Sequence, residues 1–345
     1  MADRRRRRIL FVHNDDPAKP LSSFFLQDLE HLRREFDVEI LSVYPLGYWH
    51  LTALAHASIW RAVWRCDAIF GWFGSSAPIV MMGAALGKPS VIIAGGSDVA
   101  YVPEIGYGLD PRQKVTYHLY TQGFRLARQV LLFSEASRRD FLRLPGVSAE
   151  RSRTLYLGID SDHFRPAGSK KRQVLTVSYI SSSALLRKGL LSFAEAARLC
   201  PDVPHRIAGM VVDEAARQKL AAAAPPNVEI LGYLDDNQLL AEFQAASVYV
   251  QLSHHEGFGA SLAEAMACGC IPVATERGSI PEVVGDTGYY VPVDDPVAAS
   301  TAIRAALERA STTADEAARR RIVEKFQPDE RRRGLLEVLD GIVPP

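Results

Sequence analysis

Short apolar segments alternate with helical patterns along most of the chain, and this alternation limits the fold more than any other feature. Segments such as "DAIFGWF", "PSVIIAGG" and "SVYVQLS" lack a strict apolar–polar alternation. Strands of this kind are buried on both faces, as in a parallel sheet covered by helices on each side. We therefore predict an α/β fold built from doubly wound parallel sheets.

The alternation is interrupted once, by the polar segment "IDSDHFRPAGSKKRQ", and then restarts. A length of 345 residues also favours two domains. We predict two tandem Rossmann-like domains and a final helix that would pack back on the first of them. Ligands would bind in the cleft between the domains, beyond the carboxyl ends of the strands. The predicted ranges are 1–165, 166–325 and 326–345.

Composition excludes several classes of protein. A formal net charge of +0 gives no overall attraction to nucleic acid, and no apolar run reaches the ~18 residues of a membrane span. The basic start leads directly into a short strand, unlike a signal peptide, so we predict a cytoplasmic protein. The run Arg4–Arg8 is either a solvated tail or a peripheral contact with the anionic inner face of the membrane.

Neither a metal nor a cofactor is expected. The acidic pair Asp15–Asp16 lies in a proline-containing loop and is expected to be solvated. The cysteines lack the paired spacing of metal ligands, and we predict that they are small buried apolar side chains. They are Cys66, Cys200, Cys268 and Cys270.

The segment "HHEGFGASLAEAMACGCIP", residues 254–272, has the strongest functional pattern. Glu256 and Glu264 have seven residues between them, and Gly257 and Gly259 lie in that interval. Two helical side chains at this spacing would diverge. We therefore predict that Glu256 lies in a loop and that Glu264 lies inside the helix that follows.

A helix start between two carboxylates suits a ligand that carries both phosphates and hydroxyls. Amides near Gly259, Ala260 and Ser261, together with the helix dipole, would bind a diphosphate. Glu264 would accept hydrogen bonds from a ribose diol, and Glu256 from hydroxyls on the other side of the diphosphate. The alternative left open by the residues alone is a tight turn between two solvated glutamates.

Residues 256–292, "EGFGASLAEAMACGCIPVATERGSIPEVVGDTGYYVP", resemble the signature of the retaining GT-B glycosyltransferases, specifically the large family 4. The likeness extends over most of 170–310, and "LYLGIDSDHFRP" resembles the family's crossover into the second domain. The resemblance implies a GT-B enzyme of polysaccharide or glycolipid biosynthesis. It would transfer a hexose from a nucleotide-diphosphate sugar to a hydroxyl on a glycan, a lipid-linked molecule or a small molecule. Retention of configuration and independence from metal are also implied.

The resemblance also implies roles for individual residues. Glu256 would bind donor-sugar hydroxyls at the reacting carbon, and Glu264 would bind the ribose. Lys188, with Arg187, would neutralise the departing diphosphate, where negative charge develops. Other residues of the second domain would hold the rest of the donor: Gly257, Phe258, Gly259, Ala260 and Ser261 at the phosphates and sugar, and Tyr233 and Leu234 at the base.

Three features of the family are missing. The loop after the first strand lacks Gly-Gly, and our candidates to replace it are His13, Asn14 or the helix start at Ser22–Ser23. The other interpretation of His13 is a structural residue at the strand end. Lys188 is preceded by "SYISSSALLR", a longer loop without the family's Gly-Arg. The family's first-domain histidine is absent near "VIIAGGSDV", where Gly96 and Asp98 are candidates for a substrate or acceptor contact, or for a turn.

Two rivals keep a similar fold. One is a non-catalytic partner subunit that binds a nucleotide-sugar, and the other is a sugar-nucleotide epimerase. A nicotinamide dehydrogenase is disfavoured because no G-x-G-x-x-G follows the first strand.

Overall fold

The structure is a computed structural model that describes residues 6–15, 21, 23–44, 56–310 and 314–343. It divides into two compact units, Met1–Gly158 together with Asp329–Pro345, and Ile159–Pro328. The segment that follows Gly158 is tied into the second unit by backbone and side-chain hydrogen bonds. The Ile159 amide donates to the Phe326 carbonyl at 2.7 Å, and the Arg319 guanidinium donates to the carbonyls of Ser161 and Phe164.

The described elements of the first unit alternate between strands and helices, with a short hairpin inserted after the fourth strand. Its strands are β1 (Arg8–His13), β2 (Asp37–Ser42), β3 (Ala68–Trp72), β4 (Ser90–Ala94), β5 (Tyr101–Val102), β6 (Tyr107–Gly108), β7 (Gln129–Leu132) and β8 (Ser152–Thr154). Its helices are α1 (Ser23–Glu35), α2 (Ala57–Arg65), α3 (Ala77–Ala85), α4 (Lys114–Leu126) and α5 (Glu135–Phe141), with α14 (Pro328–Ile342) from the end of the chain.

The second unit repeats the alternation. Its strands are β9 (Lys171–Val177), β10 (His205–Ala208), β11 (Val228–Gly232), β12 (Ala246–Gln251), β13 (Ile271–Thr275) and β14 (Tyr289–Val291). Its helices are α6 (Ser182–Arg187), α7 (Leu190–Arg198), α8 (Glu214–Ala223), α9 (Asp236–Ala245), α10 (Ala260–Ala267), α11 (Ile280–Val284), α12 (Pro296–Arg309) and α13 (Glu316–Lys325).

Each unit is built on a parallel sheet that has six strands among the described residues. The strand orders are β2-β1-β3-β4-β7-β8 and β11-β10-β9-β12-β13-β14. Every residue of β12 and β13 is buried, because helices cover both faces. The predicted α/β class with doubly wound parallel sheets is therefore confirmed.

The strand order of the second sheet indicates where a ligand site is expected. After β9 the chain adds β10 and β11 on one side, and it then crosses to β12 on the other side. Loops after β9 and β12 therefore leave the sheet in opposite directions at this crossover, which is the position where open α/β sheets bind their ligands. These two loops carry Lys188 and Glu256. In the first sheet the corresponding point lies between β1 and β3.

Candidate active site

Glu256 is the best-positioned polar side chain of the second unit. It follows β12 by a short loop and is only 6% exposed. Its Oε1 atom accepts hydrogen bonds from Lys188 Nζ at 2.6 Å, Ser253 Oγ at 2.6 Å and Gln251 Nε2 at 2.8 Å. A carboxylate oxygen has about two lone pairs, so these donors saturate Oε1 and fix the plane of the carboxylate. All three of these bonds go to Oε1, and none of them involves the second oxygen, Oε2.

The backbone of Glu256 is held from the turn after β13. The amide of Ser279 donates to the Glu256 carbonyl at 3.1 Å, and its hydroxyl donates to the same oxygen at 3.2 Å. Gly278 adopts a φ of +56°, and a Cβ at this position would lie 2.3 Å from that carbonyl oxygen. The close approach therefore requires glycine.

Lys188 is positioned by a helix where the sequence analysis expected a loop. Residues Ser182–Arg187 form α6, whose start is capped by the Ser181 hydroxyl. Lys188 ends the helix, and Gly189 follows with a φ of +65°. A Cβ on Gly189 would lie 2.3 Å from the Leu252 carbonyl oxygen. The turn that carries Lys188 thus packs directly against the loop that carries Glu256.

Arg187 contributes to the same site in two ways. Its carbonyl accepts a hydrogen bond from the His254 amide at 2.8 Å, which joins the two loops a second time. Its side chain adds positive charge near the Glu256 carboxylate. The predicted grouping of Arg187, Lys188 and Glu256 is thus present in the geometry.

The electrostatics favour an ion pair at the centre of the site. Burial acts to raise the pKa of Glu256, but the charges of Lys188 and Arg187 and the hydrogen bonds outweigh it and hold this pKa below its ordinary value. Burial lowers the pKa of Lys188, and the neighbouring carboxylate opposes that effect. A charged carboxylate facing a buried ammonium is the arrangement that follows.

The helix after Glu256 starts without a side-chain cap. Gly259 occupies the N-cap position with a φ of +90° and provides no side-chain cap for the first amides of α10. These amides, at Ala260 and Ser261, carry the positive end of the helix dipole. The predicted loop-then-helix arrangement around Gly257, Phe258 and Gly259 is the observed one.

Glu264 lies inside α10 and differs electrically from Glu256. It is only 8% exposed, and burial, followed by the charge of Asp236, raises its pKa to about 7. Two glutamates of one segment therefore have opposite displacements of their pKa, because only Glu256 has a cation and several donors beside it. Environments that move the pKa values of two neighbouring carboxyl groups in opposite directions are typical of functional sites.

The predicted base contacts lie after β11. Tyr233 is 60% exposed, and Leu234 is half-buried. The next residue, Asp235, caps α9 by a reciprocal pair of hydrogen bonds with Gln238. The loop that holds Tyr233 is therefore anchored while its side chain faces solvent.

In the first unit, the Asp98 carboxylate joins two loops by hydrogen bonds. It is 4% exposed and accepts hydrogen bonds from the amides of Gly74, Gly95 and Gly96 at 3.0, 3.2 and 2.9 Å. Burial raises its pKa, and these amide bonds oppose that effect. The turn interpretation of Asp98 accounts for these bonds, and its contact with a substrate stays a prediction.

His13 ends β1 and is buried. Its Nδ1 accepts a hydrogen bond from the Asp15 amide at 3.3 Å. His13 thus closes a local turn beyond the strand, as its structural interpretation predicts, and a substrate role stays a prediction. Arg4, Arg5, Asp16 and Ser22 lie outside the described residues.

Sequence reasoning missed the polar residues that support Glu256. Gln251, Ser253 and Ser279 are all buried and all bond to Glu256. A signal was present in "SVYVQLS", where a glutamine ends a strand that is otherwise predicted to be buried. A buried amide must find partners, so its neighbours were candidates for a polar network.

Comparison with known proteins places the chain in a class. Its structure superposes on that of Anabaena HepE (Alr3699) in complex with UDP and glucose with a TM-score of 0.76 and 18% identity, over 96% of this chain and 99% of that one. Two parallel six-stranded sheets with this overall match define the GT-B glycosyltransferase fold, as the resemblance in the sequence implied.

Sequence comparison gives a more specific match for the second unit. The family model of glycosyl transferases group 1 matches residues 162–325, which lie within the second unit. O-antigen chain mannosyltransferase B of Escherichia coli is 28% identical over 198 residues, which span 53% of this chain and 52% of that protein. MMP alpha-(1->4)-mannosyltransferase of Mycolicibacterium hassiacum is 33% identical over 172 residues, which span 48% and 41%. The chain thus matches about half the length of these curated relatives.

Proposed function

We propose that the chain is a retaining glycosyltransferase of family 4 that transfers a hexose from a nucleotide-diphosphate sugar to a hydroxyl acceptor, without a metal ion. The observation that carries the proposal is the buried pair of Lys188 and Glu256 at the strand crossover of the second sheet. It lies beside the uncapped start of α10, and Glu264 lies on that helix. Cation, carboxylate and helix start are the groups that a phosphorylated sugar requires.

Each group has one task in this proposal. Oε2 of Glu256 accepts hydrogen bonds from donor-sugar hydroxyls, because Oε1 is already saturated. The uncapped amides of Ala260 and Ser261 bind phosphate oxygens. Glu264 in its ionised form accepts hydrogen bonds from the ribose diol, and the loop of Tyr233 and Leu234 contacts the base.

Lys188 and Arg187 act on the leaving group. The bond between the anomeric carbon and the terminal phosphate oxygen breaks, and negative charge accumulates on the diphosphate. The acceptor oxygen forms the new bond on the same face, and its proton passes to the departing phosphate oxygen. Fixed positive charge beside that oxygen stabilises the transition state more than the ground state.

The relatives support a hexose as the transferred group. Both curated relatives above are named mannosyltransferases, and the HepE structure contains UDP and glucose. Mannose and glucose donors are therefore the first to test. The acceptor, whether glycan, lipid-linked or small molecule, is left to a screen of hydroxyl compounds.

The peripheral membrane contact is a separate part of the proposal. Of the arginines that the structure describes in the Arg4–Arg8 run, Arg7 pairs with Asp340 and Arg8 with Asp37. Contact with anionic lipid would thus depend on Arg6 and the residues before it. Among the described residues no helix is long and apolar enough to cross a bilayer. Sedimentation with phosphatidylglycerol vesicles, compared with phosphatidylcholine vesicles, tests this contact.

A thermal-shift screen of nucleotide diphosphates and their sugars tests donor binding. A ligand at 100 times its dissociation constant adds about 2.7 kcal/mol of stability. We expect one base to be preferred, and a broad panel that leaves the transition unmoved would refute the proposal. Slow hydrolysis of the preferred donor that is lost in Lys188→Ala would reject the non-catalytic subunit, and transfer to an acceptor would reject the epimerase.

A further inference from the structure

Gln251 is an unusual residue for the end of a buried strand. It closes β12, is 3% exposed, and lies five residues before Glu256. Its amide nitrogen donates to Glu256 Oε1 at 2.8 Å and to Ser253 Oγ at 2.6 Å. Its amide oxygen accepts a hydrogen bond from the Tyr249 hydroxyl at 3.2 Å. Both ends of the amide are therefore bonded inside the protein.

The Tyr249 hydroxyl sets the orientation of that amide. Tyr249 is fully buried, and burial raises its pKa well above the ordinary value. The hydroxyl thus keeps its proton. It donates that proton to the Gln251 oxygen at 3.2 Å, because an amide oxygen can only accept. The amide nitrogen is then directed to Glu256.

We propose that Tyr249 and Gln251 are positioning residues that hold the Glu256 carboxylate ionised and with Oε2 turned towards the donor sugar. The series runs from Tyr249 through Gln251 to Oε1 of Glu256, and each bond has one allowed direction. The effect of this series on catalysis rests on the proposed function. The effect of the series on the protonation of Glu256 is independent of the proposed function.

The position of these residues in the fold favours this role over simple packing. Tyr249 and Gln251 both belong to β12, one of the two strands at the crossover of the second sheet. An apolar residue at 251 would fill the same space without a polar network. The glutamine instead supplies a donor to a carboxylate that is already buried, and each such donor favours the ionised form.

Three variants separate orientation from packing. Gln251→Leu removes the donor but leaves the Tyr249 hydroxyl without its acceptor, which destabilises the fold on its own account. Tyr249→Phe keeps the donor but lets the amide turn over and present its oxygen to Glu256. The double variant Tyr249→Phe/Gln251→Leu removes the series without leaving a buried polar group unpaired.

The first experiment needs no donor. Thermal unfolding of the wild type and Tyr249→Phe is measured from about pH 7 to about pH 3, and again with both in a Glu256→Gln background. A carboxylate whose folded-state pKa lies below its ordinary 4.5 contributes stability that is complete above that pH and is lost as pH falls through the folded-state pKa. We expect the gap in Tm between wild type and Tyr249→Phe to be constant near neutral pH and to narrow below about pH 4.5, and to be constant throughout in the Glu256→Gln background. A gap that is constant in both backgrounds would overturn the proposal.

The second experiment measures hydrolysis of UDP-glucose and GDP-mannose. We expect kcat to fall about tenfold in Gln251→Leu and a few-fold in Tyr249→Phe, with little change in KM. Adding Tyr249→Phe to Gln251→Leu should then cost no further activity, because the tyrosine acts through the glutamine. Additive losses in the double variant would show independent packing effects and refute the series. A wild type that hydrolyses neither donor would count against the proposed function, and the stability experiment would still decide the positioning role.

Discussion

Lys188 and Glu256 are joined by a hydrogen-bonded ion pair of 2.6 Å, although they come from loops on opposite sides of the sheet crossover and lie 68 residues apart in the chain. The ammonium is brought there by the end of α6, and the carboxylate is brought there by the turn after β12. Both side chains are largely buried. The pair is therefore both a structural element and the centre of the proposed chemistry.

Breaking this pair should affect stability and activity differently. Lys188→Met leaves a buried charge without its partner, which costs about 3–5 kcal/mol. The double variant Lys188→Met/Glu256→Gln leaves no uncompensated charge, so we expect it to recover most of that loss in urea unfolding. Its activity should stay at least 100-fold below wild type. If the double variant regained turnover, the pair would have a structural role only.

Gly278 offers a test of backbone positioning. Gly278→Ala would place a methyl group 2.3 Å from the Glu256 carbonyl oxygen at a φ of +56°. We expect at least about 2 kcal/mol of destabilisation and a loss of donor hydrolysis. Gly168→Ala is the control. Gly168 has a similar φ of +65°, but a Cβ at this position would have no heavy atom within 4 Å. Similar behaviour of the two variants in unfolding and in kinetics would contradict this account of Gly278.

Glu264 should make nucleotide binding depend on pH. Its pKa of about 7 means that ribose binding to the ionised form releases a proton below that pH. We expect the affinity for UDP or GDP to rise between pH 6 and pH 8, with proton release in calorimetry in buffers of different ionisation enthalpy. Glu264→Gln should abolish both effects. Proton release that persists in Glu264→Gln would assign the linkage to another group.

The raised pKa of Glu264 also makes the stability of the fold depend on pH. Nucleotide affinity should rise with pH, whereas stability should fall. A carboxyl whose folded-state pKa is raised destabilises the fold as pH rises from its ordinary 4.5 towards about 7. The full penalty corresponds to about 3 kcal/mol. Glu264→Gln should therefore be more stable than the wild type at pH 8 and closer to it at pH 5. Equal stabilities at both values would show that Glu264 is not held protonated.

Arg331 is expected to be essential to the first unit. Its guanidinium binds the Asp28 carboxylate through two bonds of 2.6 Å, and both side chains are fully buried. It also donates to the carbonyls of Leu155 and Tyr156. Arg331→Met should cost about 3–5 kcal/mol in urea unfolding. Arg333→Met on the same helix removes only an exposed pair, and a comparable loss there would contradict the assignment.

Much of the fold was predictable because its signals are local. Buried parallel strands are apolar at every position, and the helices between them are amphipathic, so α/β class and two sheets follow from the sequence. The glycines that follow Glu256 allowed the loop and the start of the next helix to be predicted. The predicted buried cysteines are also free and buried.

The rest depends on contacts between distant residues. The segment before Lys188 reads as a loop because it contains three consecutive serines, yet Ser181 caps α6 and the other two serines begin that helix. The pairing of Arg331 with Asp28 spans 303 residues, and no local pattern indicates it. The antiparallel β5–β6 hairpin has only two residues per strand, too few for a periodic signal.

The most direct test of the central claim is release of UDP or GDP from a panel of glucose and mannose donors, with the wild type and Lys188→Met/Glu256→Gln compared at equal folded fraction. The account predicts steady release from one donor by the wild type, faster release with a suitable hydroxyl acceptor, and no release by the double variant. Wild-type protein that binds a nucleotide but never cleaves any donor of the panel, or a double variant that matches the wild type, would contradict it.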